Sequence, residues 1–209
     1  MERSDLSQPV VWSDGLVQRA DRSRRLGHGS ATVWLTGRPS SGKSTIGAAL
    51  EQVLLHRGVL AYRVDGDNLR HGLNADLGFT AADRAENVRR AGEACVLLAD
   101  AGLVVIACFV SPYLSDRALV RERHARAGIP FLEVFVDAPL EVAEARDPKG
   151  QYRKAREGKI PSFTGIDSPY EPPERPELWL PTTEVSVAEC VTAIVARLFE
   201  TIQPSPNAT

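Results

Sequence analysis

The sequence has few cysteines and no surplus of charge of either sign. Its 209 residues include three cysteines, an odd number without metal-site spacing, so buried free thiols are the better interpretation. Lysine and arginine total 25 against 27 aspartate and glutamate, which leaves a net charge of −2 and no basic excess for general nucleic-acid binding. We therefore expect no nucleic-acid partner and a reducing compartment.

Long apolar runs are also missing. No run is long enough to cross a bilayer, and the polar segment 1–8 lacks the apolar centre of a secretion signal. These absences predict a cytoplasmic protein without a membrane partner. The hydrophobic fraction of 43% and the charged fraction of 25% are ordinary for one globular domain with a real core.

Short apolar runs alternate with helical patterns along the chain. This alternation predicts an α/β fold of three layers, with a central parallel sheet of about five strands and right-handed crossovers. The predicted strands are residues 31–36, 59–64, 103–109, 131–136 and 178–180. The predicted helices are residues 46–56, about 80–101, about 115–127, a short one from Pro139, and 185–199.

The domain boundaries follow from composition. Residues 1–28 are arginine-rich among small polar residues and predict a flexible N-terminal arm with room for a short helix. Residues 29–202 form the predicted domain, and residues 203–209 a disordered tail. Within the domain, residues 147–176 are basic and rich in loops, which indicates a mobile lid. An ordinary exposed basic face is the alternative for this segment.

The most specific motif is Gly37-Arg38-Pro39-Ser40-Ser41-Gly42-Lys43-Ser44-Thr45, which matches the phosphate-binding pattern G-x-x-x-x-G-K-[ST]. Glycines allow the backbone N–H groups to point at phosphate oxygens, and the next helix directs its positive end at the same anion. A chance Gly/Ser-rich turn is disfavoured, because a predicted strand precedes the motif and a helix follows it. The predicted nucleotide-binding residues here are Gly37, Ser40, Ser41, Gly42, Lys43, Ser44 and Thr45.

A phosphate-binding loop occurs in switches, motors and kinases. No D-x-x-G follows a predicted strand and no N-K-x-D is present, which argues against a switch GTPase. Motors and helicases are mostly longer. A small domain with a basic lid is more typical of small-molecule kinases, in which the lid keeps water from the transferred phosphoryl group.

Carboxylates follow the second predicted strand, at the edge where ligands of parallel sheets bind. Asp65 and Asp67 could accept the proton of an acceptor hydroxyl or hold metal-bound water, although a plain turn after the strand is equally compatible. Ser111 and Asp137 follow two other strands and fall on the same edge. Nearby arginines suit an anionic acceptor, with solvated helix charges as the alternative; they are Arg70, Arg84 and Arg89.

Several further motifs resemble adenylylsulfate kinases (APS kinases) in order and spacing, from about Trp12 to the last helix. They are Val64 to Asn74 (VDGDNLRHGLN), Gly78-Phe79, Asp83-Arg84-x-Glu86-Asn87-x-Arg89-Arg90, Val110 to Tyr113 (VSPY), Arg146 to Arg156 (RDPKGQYRKAR), and Phe163-Thr164-Gly165-Ile166-Asp167-x-Pro169-Tyr170-Glu171.

The resemblance implies a P-loop kinase fold and the reaction ATP + adenylyl sulfate → ADP + 3′-phosphoadenylyl sulfate. It implies catalytic roles for Lys43, Asp65, Asp67 and Ser111, and adds Arg146 to the ATP site. A serine at the position of Ser111 is phosphorylated in some members. Mg²⁺ is the implied cofactor, with Ser44 as ligand and Asp65 acting through water. The implied acceptor site comprises Asp67, Asn68, Arg70, Phe79, Arg84, Asn87, Val110, Ser111, Lys149, Ser162 and Phe163.

One departure from the family pattern stands out: Arg38-Pro39 replaces the usual Leu-Ser after the first loop glycine. Besides an APS kinase, it keeps open a second hypothesis, a related kinase with a different acceptor. A nucleotide-binding regulatory protein without turnover is the third hypothesis. Intact Lys43, Ser44, Asp65 and Asp67 argue against the third. The length also predicts a stand-alone kinase that works with a separately encoded ATP sulfurylase, and it leaves a homodimer open.

Overall fold

The computed structural model describes residues 13 and 15–202, and its centre is a five-stranded sheet. The strands are β1 (Ala31–Thr36), β2 (Ala61–Asp65), β3 (Val104–Cys108), β4 (Phe131–Asp137) and β5 (Leu178–Pro181). They are all parallel, in the order β2-β3-β1-β4-β5. The predicted parallel sheet of about five strands is confirmed. β1 is the central strand and is buried along its whole length. The phosphate loop follows it at the carboxyl edge of the sheet.

Eight helices surround the sheet in the described part of the chain. They are α1 (Arg19–Leu26), α2 (Lys43–His56), α3 (Gly66–Leu69), α4 (Ala81–Asp100), α5 (Leu114–Arg126), α6 (Leu140–Arg146), α7 (Gln151–Arg156) and α8 (Val187–Thr201). The predicted capping box at Thr80 and Asp83 is present at the start of α4. β2 begins two residues later than predicted, and α2 three residues earlier, directly after Gly42.

The core forms two clusters, one on each face of the sheet, which gives the three predicted layers. Val33 and Leu35 of β1 pack on the face covered by α2 and α8, whereas Trp34 points to the opposite face, covered by α4 and α5. This alternation follows from the two-residue period of a strand. Both faces of β1 are apolar because a parallel sheet is buried on both sides.

Part of the predicted N-terminal arm is helical. In α1, Arg19 donates to the carbonyls of Ala127 (3.0 Å) and Gly128 (2.7 Å), just beyond α5, and Arg22 donates to the carbonyl of Asp100 (3.2 Å) at the end of α4. Cations suit the negative ends of helices, so these arginines hold α1 against the domain. Residues 1–12 and 14 of the arm, and the predicted tail 203–209, lie outside the described residues.

The predicted lid, residues 147–176, contains α7 and a small apolar cluster that the sequence did not predict. Tyr152 and Phe163 meet edge to face with ring centroids 4.9 Å apart, and they pack with Ala143 of α6. The hydroxyl of Tyr152 donates to the carbonyl of Pro39 in the phosphate loop (3.1 Å). The segment therefore rests on the phosphate loop in this structure.

Within the described residues, no helix is long and apolar enough to cross a membrane. The three cysteines, Cys95, Cys108 and Cys190, are free and buried, as the sequence predicted.

Candidate active site

The carboxyl ends of the strands open into one cavity of about 780 Å³, within the usual size range of small-molecule sites. The phosphate loop forms one end of the cavity. The other end is formed by the segment after β2, the start of α4, the segment after β3 and the lid. The sequence-predicted site residues that line it are Ser40, Ser41, Gly42, Lys43, Ser44, Thr45, Asp65, Asp67, Arg70, Phe79, Arg84, Asn87, Val110, Ser111, Arg146, Lys149 and Phe163.

The phosphate loop depends on its two glycines. A Cβ on Gly37 would lie 2.3 Å from the carbonyl oxygen of Val136, so a side chain cannot fit there. Gly42 has φ of 107°, a left-handed conformation that glycine adopts without strain, and α2 begins directly after it. The first N–H groups of α2 consequently face the loop, as an anion site requires.

Lys43 is folded back onto the loop. Its Nζ donates to the carbonyls of Gly37 (2.8 Å) and Arg38 (2.7 Å). Burial lowers the pKa of Lys43 from 10.5 to about 8, although the nearby carboxylates of Asp65 and Asp67 oppose this shift. An anion in the cavity would favour the charged form of this amine.

Asp65 lies at the junction of the loop and the second strand. Its Oδ2 accepts hydrogen bonds from the hydroxyl of Ser44 (2.8 Å) and the guanidinium of Arg63 (2.8 Å), and its Oδ1 accepts from the backbone N–H of Asp67 (3.1 Å). Ser44 and Asp65 thus present two adjacent hard oxygen donors, the kind that Mg²⁺ takes together with phosphates and water.

The acceptor end combines arginines with an aromatic ring. The guanidinium of Arg70 lies 4.1 Å from the ring centroid of Phe79, whose ring is half exposed. Arg84 donates to the carbonyl of Phe79 (3.0 Å) and to the hydroxyl of Thr164 in the lid (2.7 Å). The amide of Asn74 donates to Asn87 Oδ1 (3.0 Å). Cations and π surfaces facing one space suit an anionic nucleotide.

An ion pair joins the lid to the segment after β2. Lys149 contacts the carboxylate of Asp67, and this partner raises the pKa of the Lys149 amine. The lid is therefore held at the cavity by an ion pair between two residues that were predicted to bind the acceptor.

Ser111 is nearly buried, and its hydroxyl is fully engaged. Its Oγ accepts from the indole of Trp34 (3.1 Å) and donates to Thr36 Oγ1 (2.9 Å). Its φ of 38° lies in the left-handed region, which is uncommon for a residue with a side chain. The hydroxyl therefore holds the backbone of the segment that follows β3.

Some predicted residues lie outside the cavity lining. Gly37 and Ser162 flank it, with carbonyls that accept from Lys43 and Arg84 respectively, and Asn68 lies in α3. Arg89 does not line the cavity either. It pairs with Glu86 (2.7 Å) on the exposed face of α4, so the alternative of a solvated helix charge is correct for this arginine.

The structure also adds residues that sequence reasoning missed. Thr182, directly after β5, accepts from Arg146 Nη1 at its hydroxyl (2.9 Å) and from Nη2 at its carbonyl (2.7 Å), and its hydroxyl is 3.2 Å from the Ser41 carbonyl. Its place after a parallel strand was the available signal. Pro39, Gln151 and Thr164 also line the cavity, whereas Arg38 does not.

Comparison with known proteins identifies the family of this chain. The adenylylsulphate kinase family model matches residues 29–181. The adenylyl-sulfate kinase of Marinobacter nauticus is 53% identical over 191 residues, covering 91% of this chain and 95% of that protein. The enzyme of that name from Saccharomyces cerevisiae is 54% identical over 190 residues, covering 91% of this chain and 94% of its own length.

The structural comparison agrees with the sequence comparison. The APS kinase CysC of Mycobacterium tuberculosis, solved in complex with AMPPNP and APS, superposes with a TM-score of 0.80 at 52% identity. It covers 81% of this chain and 98% of its own. On this evidence the chain belongs to the adenylylsulphate kinase family.

Proposed function

We propose that this kinase transfers the γ-phosphoryl group of ATP to the 3′-hydroxyl of adenylyl sulfate, which yields 3′-phosphoadenylyl sulfate and ADP. One observation carries the proposal beyond family membership: a single cavity joins the phosphate loop to a cationic, aromatic end. The first end suits a triphosphate and the second suits an anionic nucleotide. Direct transfer needs two substrates that face each other in one cavity.

The donor end works by charge and position. In this proposal Lys43 exchanges its loop carbonyls for the β- and γ-phosphate oxygens and stabilises charge that develops during transfer. Arg146, fixed by Thr182, borders the same end and would contact the nucleotide. Ser40, Ser41, Gly42 and Thr45 complete the wall around the phosphates.

Mg²⁺ is the proposed cofactor, held by the Ser44 hydroxyl and, through water, by Asp65. The 2.8 Å contact between these two oxygens and their place beside the phosphate loop support this assignment. When bound, the ion would neutralise phosphate charge. The 2.8 Å contact with Arg63 orients the Asp65 carboxylate toward this position.

The acceptor end orients adenylyl sulfate. Phe79 and Phe163 offer aromatic surface for adenine, and Arg70, Arg84 and Lys149 offer cations for the phosphosulfate. Asp67 would leave Lys149 and face the acceptor hydroxyl, as its exposed carboxylate allows. The remaining proposed acceptor residues are Asn68, Asn87, Val110, Ser111 and Ser162.

Direct transfer is favoured over a phosphoserine at Ser111. A serine nucleophile needs an activating base, yet the Ser111 hydroxyl is bonded to Trp34 and Thr36. The nearest histidines in sequence are His71 and His124, and the ring of His124 is occupied by Val120 and Thr32.

Ser111→Ala should therefore retain measurable turnover, with a rise in KM for adenylyl sulfate and little change in KM for ATP. The lost bond loosens the backbone beside the acceptor but removes no reacting group. Steady-state kinetics with each substrate varied would measure this. A variant without turnover, together with phosphate trapped on Ser111 of the parent protein, would establish the covalent route instead.

The lid should order over bound substrates. Within residues 147–168 its side-chain polar contacts with the rest of the domain are the Lys149–Asp67 and Arg156–Glu144 pairs and bonds with Arg84 and Pro39, few enough for local opening. Tyr170 and Glu171 hold the end of the segment to the domain. ADP plus adenylyl sulfate should protect residues 147–170 from limited proteolysis, read by mass spectrometry of the fragments. Equal cleavage there with and without ligands would contradict a ligand-closed lid.

Binding of ATP should take up protons above pH 8. In the free protein Lys43 has a pKa of about 8, and the triphosphate raises it again, so affinity should fall as pH rises from about 8 toward 10. Calorimetry at pH 8.5 in buffers of different ionisation enthalpy would count the protons. Lys43→Met should abolish the uptake, and a wild type that takes up none would contradict the role of Lys43.

An acceptor panel tests the proposed function. ADP release coupled to NADH oxidation would be followed with adenylyl sulfate, AMP, gluconate or no acceptor. Turnover should require adenylyl sulfate. Equal or faster turnover with another acceptor would favour the related small-molecule kinase, and binding of ATP without turnover on any acceptor would favour the regulatory protein.

We further propose the cytoplasmic setting that three buried free thiols suit, and a supply of adenylyl sulfate from a separately encoded ATP sulfurylase in sulfate assimilation. A homodimer is part of this proposal, and light scattering on the purified chain would measure it.

A further inference from the structure

The side chain of Arg38 leaves the phosphate loop without lining the cavity. Its guanidinium lies 5.4 Å from the ring centroid of Tyr170, donates to the carbonyl of Ala138 (3.3 Å), and is 4.0 Å from Asp137. Its own carbonyl accepts from Lys43 (2.7 Å). Arg38 therefore connects the lysine of the donor end to a residue outside that end.

Tyr170 is buried and contacts residues next to the acceptor end. Its hydroxyl is 3.0 Å from Thr36 Oγ1, which donates to the carbonyl of Val110 (2.9 Å) and accepts from Ser111 Oγ (2.9 Å). Because the Thr36 hydroxyl already donates to Val110, the Tyr170 hydroxyl must donate to Thr36. Each of the three hydroxyls, of Tyr170, Thr36 and Ser111, then has an acceptor for its proton. Burial raises the pKa of Tyr170 to about 12, so this donor stays protonated.

A second contact leads from Tyr170 to the same segment. The guanidinium of Arg117 lies 5.8 Å from the Tyr170 ring centroid and donates to the carbonyl of Ser111 (2.6 Å). Arg117 is buried and paired with Glu133 (2.7 Å). The left-handed backbone of Ser111 is thereby held from two sides, by its hydroxyl and by its carbonyl.

We propose that Arg38 and Tyr170 are positioning residues that couple the phosphate loop to the acceptor-facing segment Val110–Ser111. This inference rests on the proposed function for the identity of the two substrates. Neither Arg38 nor Tyr170 lines the cavity, so we expect each to act on substrate binding through the residues that do. The contact of Arg38 with the Tyr170 ring needs a cation, so an uncharged side chain at this position would not make it.

The coupling predicts that a substitution in the phosphate loop, which forms the donor end, changes binding of the acceptor. Arg38→Ala should raise KM for adenylyl sulfate about threefold to tenfold, the size of coupling found between residues in contact. A residue that only supports the phosphate loop would change KM for ATP alone. Arg57→Ala is the matched control, since Arg57 lies 6.0 Å from the Phe199 ring centroid and outside the cavity lining, and it should change neither constant.

A double-mutant cycle tests the route. If the effect of Arg38 passes through Tyr170, Arg38→Ala should add no further change to the acceptor KM in the Tyr170→Leu background. In Tyr170→Phe, which keeps the ring and loses only the bond to Thr36, the Arg38 effect should shrink but remain. Thermal unfolding would establish that each variant is folded. If Tyr170→Leu is not folded, the cycle is carried out with Tyr170→Phe alone.

Two outcomes would overturn the proposal: an acceptor KM that does not respond to Arg38→Ala, or an effect that is fully additive with the Tyr170 substitutions. Wild-type turnover on adenylyl sulfate is a separate arm of the experiment. If the wild type turns over another acceptor, the proposed function fails, and the same cycle on that acceptor still decides whether Arg38 and Tyr170 couple the two ends.

Discussion

Replacing Lys43 by alanine should lower kcat by at least about a hundredfold while the fold stays intact. Lys43 is the buried cation of the phosphate loop, with loop carbonyls as its partners in the free protein. When γ-phosphate charge develops, no other lysine among the described residues lies in the loop to replace it. Steady-state kinetics with saturating substrates would measure the loss.

The control for Lys43 is Lys159→Ala. Lys159 is an exposed lid lysine paired with Glu157, outside the cavity lining, and it should keep near-normal kcat. Thermal unfolding should show that both variants are folded. Near-normal turnover of Lys43→Ala would mean that the phosphate-loop assignment is incorrect.

Replacing Asp65 by asparagine should reduce kcat by about a hundredfold or more, with a much smaller effect on ATP binding. Asparagine keeps the size of the side chain but removes the charge that faces Ser44 and Arg63. The position of the proposed metal depends on that charge. Phosphate binding by the N–H groups of the loop does not. Kinetics and nucleotide calorimetry together would separate the two effects.

Asp100→Asn is the matched control for Asp65, because Asp100 is a carboxylate at the end of α4 that contacts Arg22 and lies outside the cavity lining. Its kcat should be unchanged. An unchanged kcat for Asp65→Asn would reduce Asp65 to a turn residue and transfer the proposed role to Asp67.

The sheet and most of its helices were predictable because their signals are local. The apolar run around Val105 and Ile106 is too short for a membrane span and fits a buried parallel strand, and the glycines of the phosphate loop favour the turn into α2. The carboxyl-edge rule then brought Asp65, Asp67 and Ser111 to one cavity without any knowledge of side-chain contacts.

The remaining features depend on contacts between distant parts of the chain. Sequence gives no sign that the Ser111 hydroxyl points into a network with Trp34 rather than into the cavity. The lid was read as loops because its apolar residues are scattered, yet Tyr152 and Phe163 meet to make a small core around α7. The departure at Arg38-Pro39 kept open a kinase with a different acceptor, and sequence gave no sign that the side chain of Arg38 turns toward Tyr170. Such contacts are set by tertiary structure and not by periodicity.

The most direct measurement of the central claim is the fate of the γ-phosphoryl group. The protein would be incubated with γ-labelled ATP, Mg²⁺ and adenylyl sulfate, and the product located by mass spectrometry and phosphorus NMR. We predict that all of the transferred label lies on the 3′-oxygen of adenylyl sulfate, with ADP formed in equal amount, and that the 3′-deoxy analogue receives none. Label on another oxygen, label found only as inorganic phosphate, or phosphorylation of the 3′-deoxy analogue would contradict the account.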